Sequence, residues 1–372
     1  MEISSEDSLR LNVLLVNAKA IRIDENSLCV YGLSSSSEAR IKLNPTCRAD
    51  RYLRYVRELL SSAVLGSPGG YPVYLKRWTR MGQLSHEHLD DLLMLGEPEA
   101  VVAVACSPNL TDELANRVWW AMSDAEIARR MLERECVVRG AMGRVLAEFL
   151  IEFLPFEEDP LTIIRTVCLL LQPGLITADE RLRIWHKGRQ KNVFLIGFLL
   201  ATPDELPEPV AAHPAASETD AALGDLLQAA NPFSMQLSRC LSSAGQSFLR
   251  ACQTVLRKPS NQDVVVSLLD AITMYFATVA PPFETPTDIV ALAEQIKAWC
   301  AGPDCPPPLR AVLDVAPAQQ AILADMMTLA CCNRRVVRGI FSGTDSIGSL
   351  MRKKLEPVSK PVLRLLANLL NE

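Results

Sequence analysis

Cys331 and Cys332 stand side by side in MMTLACC and are followed by Arg334 and Arg335. Cations beside a thiol favour its ionised form, and the thiolate is the species that attacks sulfur. The pattern points to thiol exchange, or to carriage of a sulfane sulfur as a persulfide on one of the two residues. The competing reading is the apolar end of a packed helix, where cysteine serves as a small hydrophobe. The chain has eleven cysteines, an odd number with no regular spacing. They read as reduced and mostly buried thiols, not as a disulfide framework.

A second constellation lies in YPVYLKRWTRMG, where Tyr71, Tyr74 and Trp78 interleave with Lys76, Arg77 and Arg80. Aromatic rings with cations between them suit a protein contact surface, because Trp, Tyr and Arg dominate interface hot spots. The same residue types stack bases and meet phosphates. The chain carries 38 basic against 43 acidic residues, a formal charge of −5, which disfavours RNA as the partner and favours protein. Lys187–Arg189–Lys191 and Arg352–Lys353–Lys354 read as solvated helix faces.

The remaining chemistry is thin. His86, His88, His186 and His213 are the only histidines, and none sits in a local nucleophile signature. His86 and His88, two residues apart, point to different faces of a helix capped at Ser85, so no metal site is expected. GSPGG at Gly66–Gly70 lacks the GK[ST] ending of a phosphate loop, and GTDSIG puts Ser346 one position off a nucleophile elbow. The reading is a binding protein more than an enzyme, with no catalytic residue and no cofactor.

The elements that must position these residues are mainly helical. Leu and Ala are abundant and aromatics make up only 6%, a mixture that favours helices over strands. Near the start, Leu9 to Leu15 form a helix capped at Ser4 or Ser5. Ile21 and Ile23, then Leu28 and Val30, alternate around a turn at Asp24–Ser27, and Ile41 and Leu43 supply a third strand. Leu53, Val56, Leu60 and Val64 share one helical stripe that ends at Gly66. Helices are then expected over 112–122, 124–135, 142–154, 161–171 and 179–200, and later over 221–230, 234–256, 262–277, 287–301, 318–332 and near 361–370.

The fold class that follows is mainly α. A small N-terminal α+β subdomain (1–83, a β-hairpin or three-stranded meander) precedes helical hairpins (84–201) in a bundle or an irregular HEAT-like array. A Pro/Ala-rich linker (202–220) then leads to a C-terminal all-α domain (221–372). The longest strongly apolar stretch, Val193–Ala201, is nine residues, against about 20 needed to span a bilayer, so no membrane insertion is expected. MEISSEDS lacks the regions of a signal peptide, and the expected location is the cytoplasm.

Several strings carry a resemblance: VLGSPGGYPVYLKRWTRMGQ (Val64–Gln83), LGEPEAVVAVACSPNLTDELANRVWWAM (Leu95–Met122), ARRMLERECVV (Ala128–Val138), LAEFLIEFLPFEEDP (Leu146–Pro160), LLLQPGLI (Leu169–Ile176) and the KN…GFL segment of Lys191–Leu199. Together they resemble the sulfur-reduction protein DsrS family over about the first 210 residues, and weakly beyond. The resemblance implies a cytoplasmic protein encoded among the dissimilatory sulfite reductase genes of sulfur-oxidising bacteria. It places the protein in sulfur metabolism and transfers no catalytic residue; together with the helix-rich reading and the lack of metal, nucleotide or triad motifs, it leads to a non-catalytic accessory or regulatory role in sulfur oxidation, with proteins of that pathway as partners. The alternatives are a cysteine-persulfide carrier and an RNA-binding regulator.

Overall fold

A computed structural model describes residues 3–35, 37–70, 89–283, 288–341 and 348–370. They divide into two compact units. Unit 1 is Met1–Pro155 with Pro173–Leu175, and unit 2 is Phe156–Gln172 with Ile176–Glu372.

In unit 1, Ser4 caps α1 (Ser5–Asn17) by accepting from the Asp7 N–H. Three short strands follow, β1 (Ala20–Asp24), β2 (Cys29–Leu33) and β3 (Glu38–Lys42), forming an antiparallel meander in sequence order. The register pairs Ile23 with Val30 and Val30 with Ile41. Helix α2 (Ala49–Leu65) carries the stripe of Leu53, Val56 and Leu60 and stops at Gly66 in the left-handed conformation. Leu11 and Leu14 of α1, Ile21 and Val30 of the sheet, and Tyr52, Val56 and Leu60 of α2 form one buried cluster. Gly32 permits this contact, since a Cβ there would stand 2.6 Å from Leu14.

Helices α3 (Pro98–Cys106), α4 (Asp112–Ala121), α5 (Ala125–Met131) and α6 (Ala141–Phe153) complete unit 1. Helix α4 packs on β1, and the Ile21 N–H bonds to the Leu93 carbonyl at 2.8 Å. The sheet is therefore built into the helices up to Pro155, and the expected boundary at 83 does not separate it from them.

Unit 2 holds α7 (Pro160–Leu170), α8 (Ala178–Lys187), α9 (Val193–Ala201), α10 (Pro232–Leu241), α11 (Ser243–Arg257), α12 (Gln262–Tyr275), α13 (Ile289–Ala301), α14 (Gln320–Ala330) and α15 (Gly348–Leu369). Helix α9 is apolar on every side and buried from Val193 to Leu199, so it must be surrounded. Its neighbours include α7, α8, α11 and α12. Gly197 lets α7 approach, because a Cβ would meet Val167 at 2.5 Å.

Four expectations are corrected here. The single helix expected over 179–200 breaks after Lys187, where an amphipathic pattern gives way to the all-apolar α9. The helix expected over 234–256 divides at Ser242, which caps α11 through the Gly245 N–H. The last helix begins at Gly348 and runs through Pro357 and Pro361, because Leu355, Val358, Val362 and Leu366 bury one face along it. A proline inside a helix costs about 3 kcal/mol, and burying several aliphatic side chains exceeds that.

The fourth correction is the linker. Asp204 holds Arg239 through two bonds of 2.8 and 2.7 Å, Leu206 is buried, and the Val210 N–H donates to Ser247 at 2.9 Å. The His213 N–H donates to the Leu241 carbonyl at 2.9 Å. Residues 202–215 are a strap along unit 2, and the division of the chain falls near Pro155.

Asp7 is wholly buried, and its Oδ2 accepts from the Tyr52 hydroxyl at 2.5 Å and from the Asn44 N–H at 2.9 Å. Burial, and then the bond to Asp7, push the Tyr52 phenol above its ordinary pKa. Asp7→Ala would take this acceptor from the buried Tyr52 hydroxyl. We expect it to destabilise unit 1 by about 2–4 kcal/mol, and Tyr52→Phe by about 1–2, in urea denaturation followed by circular dichroism. A loss below about 0.5 kcal/mol for Asp7→Ala would show that other contacts hold α1 to α2.

Candidate functional site

A concavity in unit 2 has a volume of about 650 Å³. Its apolar part comes from Ile163 of α7, Val193 and Leu195 of α9, and Ala251 of α11. Cations from four stretches of chain surround it: Arg189 and Lys191 before α9, Arg250 of α11, Lys258 after α11, and Arg352 of α15. Two carboxylates, Glu158 and Glu208, also line it.

Glu208 belongs to the strap, and the end of α8 holds it. Its Oε2 accepts from the Trp185 indole N–H at 2.9 Å. Its Oε1 lies 3.2 Å from His186 Nε2 and accepts from the Arg189 guanidinium. The Trp185 bond leads, with His186 and Arg189 adding to it, in holding this carboxyl below the ordinary glutamate range. The Trp185 ring is buried and meets Phe198 edge-on at 5.1 Å. Asn192 Nδ2 donates to the Lys258 carbonyl at 2.7 Å, which ties the start of α9 to the end of α11. Its Oδ1 is buried and accepts no hydrogen bond among the described residues.

Sequence reasoning read the two basic clusters as solvated faces. The structure brings Arg189 and Lys191 from one and Arg352 from the other to the same cavity. Their types were visible in the sequence, but their convergence depends on how α11 and α15 pack.

The thiols of Cys331 and Cys332 fall as the packed-helix reading has them, and not as the reactive-thiol alternative does. Cys331 is 6% exposed and Cys332 fully buried, among the apolar residues that end α14. Burial pushes the Cys332 thiol up to about 12, and it raises Cys331 as well. Arg334 points instead to Asp270, 2.8 Å away. The lowered pKa expected from neighbouring arginines is therefore corrected: desolvation outweighs them. The cysteine with a lowered pKa is Cys29 of β2, through hydrogen bonding with Ser27 and with Arg40. Arg40 donates from Nε at 3.3 Å and from Nη2 at 3.2 Å. Cys29 is itself fully buried, which closes it to bulky reagents.

On the sheet of unit 1, the Arg22 guanidinium lies 4.8 Å from the Tyr31 ring centre and 5.1 Å from that of Trp120. Arg40 lies over Tyr31 from 5.8 Å, and Trp120 donates to Glu38 at 2.8 Å. This arginine–aromatic cluster was not anticipated, although WW at Trp119–Trp120 was a visible signal. The anticipated segment, Tyr71, Tyr74, Lys76, Arg77, Trp78 and Arg80, lies outside the described residues, as do His86 and His88. Among the described residues, no three His, Cys, Asp or Glu side chains group as metal ligands, and no helix is long and apolar enough to cross a membrane.

No protein-family profile matches the chain, and neither a curated protein nor a solved structure does so.

Two outcomes are expected. A maleimide should modify the exposed Cys106 and Cys136 of the folded protein, while Cys331 and Cys332 react only in denaturant, as read by peptide mass mapping. Labelling of Cys332 at the rate of Cys106 would mean that the end of α14 opens readily. The second outcome concerns pH. Because the folded-state pKa of Glu208 lies below its ordinary 4.5, its contribution to docking is fully present above 4.5 and is lost as pH falls through the lowered value. Proteolysis within 202–215 should therefore accelerate below about pH 4.5 in the parent chain. Glu208→Gln should be cleaved faster at neutral pH and lose that pH dependence. Equal cleavage of the two proteins at every pH would remove Glu208 as the anchor.

Proposed function

We propose that the chain is a non-catalytic accessory or regulatory protein of cytoplasmic sulfur oxidation, in the reverse dissimilatory sulfite reductase pathway, acting through protein–protein contacts. The pathway is supported by the resemblance to the DsrS family carried by the strings from Val64 to Leu199. The contact mode is supported by one observation above others, the Arg22–Tyr31–Trp120 cluster with Arg40 on the sheet of unit 1. Interfaces concentrate their binding energy in such residues, because the rings supply large contact area at little entropic loss and arginine bonds through a rigid fork.

The persulfide alternative draws no support from the thiols it needs. A carrier thiol must be exposed and partly ionised at neutral pH, and Cys331 and Cys332 are buried with raised pKa values. The RNA alternative leans on the segment 71–80, and the acidic balance of the chain weighs against it.

Capture of the tagged protein from cells oxidising reduced sulfur, with and without ribonuclease, tests the reading. Enrichment of sulfite reductase or sulfur-relay proteins that survives ribonuclease is the expected result. Arg40→Ala/Trp120→Ala, and separately Trp78→Ala/Arg80→Ala, should map the surface, with at least one pair weakening capture about tenfold at a nearly unchanged thermal transition. Capture that vanishes with ribonuclease would transfer the case to RNA, and capture indifferent to both pairs would remove the proposed surfaces.

A further inference from the structure

The cavity of unit 2 gathers charge against the sign of the whole molecule. The chain has a formal charge of −5, yet five cations and only two carboxylates line this one space. Glu208 is already engaged by Trp185, His186 and Arg189. Among the described residues, Lys191, Lys258 and Arg352 are held in no ion pair. Like charges around a concave, partly apolar surface repel one another, and low-dielectric walls concentrate their field. The arrangement is stabilised when an anion enters.

Three further features narrow the ligand. The N-terminus of α9 opens at the same place, with Asn192 and Val193 both lining the cavity and no side chain capping the helix. The Phe194 and Leu195 N–H groups already donate to the Lys191 and Asn192 carbonyls, so α9 adds the positive end of its dipole to the potential of the cations. The inner surface is aliphatic, from Ile163, Val193, Leu195 and Ala251, so a bare inorganic ion would leave it wetted. A volume of about 650 Å³ suits a small molecule and is too confined for a folded partner.

We infer that this cavity is a binding site for a small organic anion, with a phosphate or sulfonate head held by Lys191, Lys258 and Arg352 and an apolar body against α7, α9 and α11. The inference does not rest on the accessory reading, whose surface lies on unit 1. The strap forms one wall through Glu208 and Val210, so an occupied cavity would hold the strap down as well.

Isothermal titration of the full chain with four probes tests the assignment. Adenosine diphosphate and naphthalene-2-sulfonate carry both head and body, pyrophosphate carries the head alone, and adenosine the body alone. At least one of the first two should bind more tightly than either fragment, and binding should weaken as salt rises from about 50 to about 200 mM. Lys191→Gln/Arg352→Gln should lower that affinity about tenfold or more. Arg48→Gln/Lys353→Gln removes equal charge outside the cavity and should change it less than about twofold. Lys258→Gln, at an exposed side chain, gives an independent reading if the double variant loses its fold by circular dichroism. Absence of heat with both head-and-body probes at millimolar concentration would overturn the site. Equal losses in the two double variants would reduce it to diffuse charge. Adenosine binding as tightly as the diphosphate would leave the cations idle, and pyrophosphate matching both larger probes would remove the apolar half.

Discussion

The strap of unit 2 is fixed at its middle by Glu208, between the anchors at Asp204 and at Val210. Residues 202–215 are rich in proline, so this stretch cannot satisfy its own backbone as a helix or strand does. Its order has to come from side chains elsewhere, and Glu208 receives three of them from the end of α8. These contacts are not equal. Glu208 is 43% exposed, and its pairing with the 66%-exposed Arg189 is screened by water, worth at most about 1 kcal/mol. The Trp185 N–H is on a buried ring, so breaking its bond to Glu208 leaves a desolvated donor. The strap is therefore pinned chiefly by an uncharged donor, with the cations setting the protonation state of the acceptor.

Much of the architecture was readable because its signals are local. Ser4, Gly66 and the alternation around Asp24–Ser27 each act within a few residues, and the cap, the stop and the meander appear where those residues stand. What escaped was long-range. Nothing in Asp204 or Glu208 announces that Arg239 and Trp185 will meet them, and without those partners a proline-rich stretch looks like a linker. The last helix errs in the opposite direction: Pro357 and Pro361 are local stop signals that the burial of one long face overrides. The Gly188–Asn192 break needed attention to pattern type, since α8 is amphipathic and α9 apolar all round.

The cysteines show the same limit in chemical form. Arg334 and Arg335 follow Cys331 and Cys332 in the chain, yet the thiols are sealed into the end of α14 and burial decides their ionisation. Arg40 is eleven residues from Cys29 and reaches its sulfur because β2 and β3 are hydrogen-bonded neighbours. Both cases have one cause: the field at a thiol falls with distance in space and with the dielectric between, not with separation along the chain. Charge proximity along the chain informs about a thiol only when the intervening backbone keeps both groups in the same solvent.

Net charge bears on one kind of anion and not on another. An excess of five acidic groups argues against a long anionic polymer, which would meet the whole surface within a screening length of about 8 Å. A small anion enclosed in a cavity meets only the groups that line it, and there the balance is reversed. The two units therefore present different kinds of surface. The Arg22–Tyr31–Trp120 cluster lies on a sheet face, where large area and stacked rings suit a broad partner. The cavity of unit 2 is concave, cationic at its edge and aliphatic within, and it suits something that fits inside. Since the strap supplies one wall through Glu208 and Val210, filling the cavity and ordering the strap are energetically linked. Any ligand that binds the ordered form alone stabilises it by mass action, in proportion to the logarithm of its concentration over its dissociation constant.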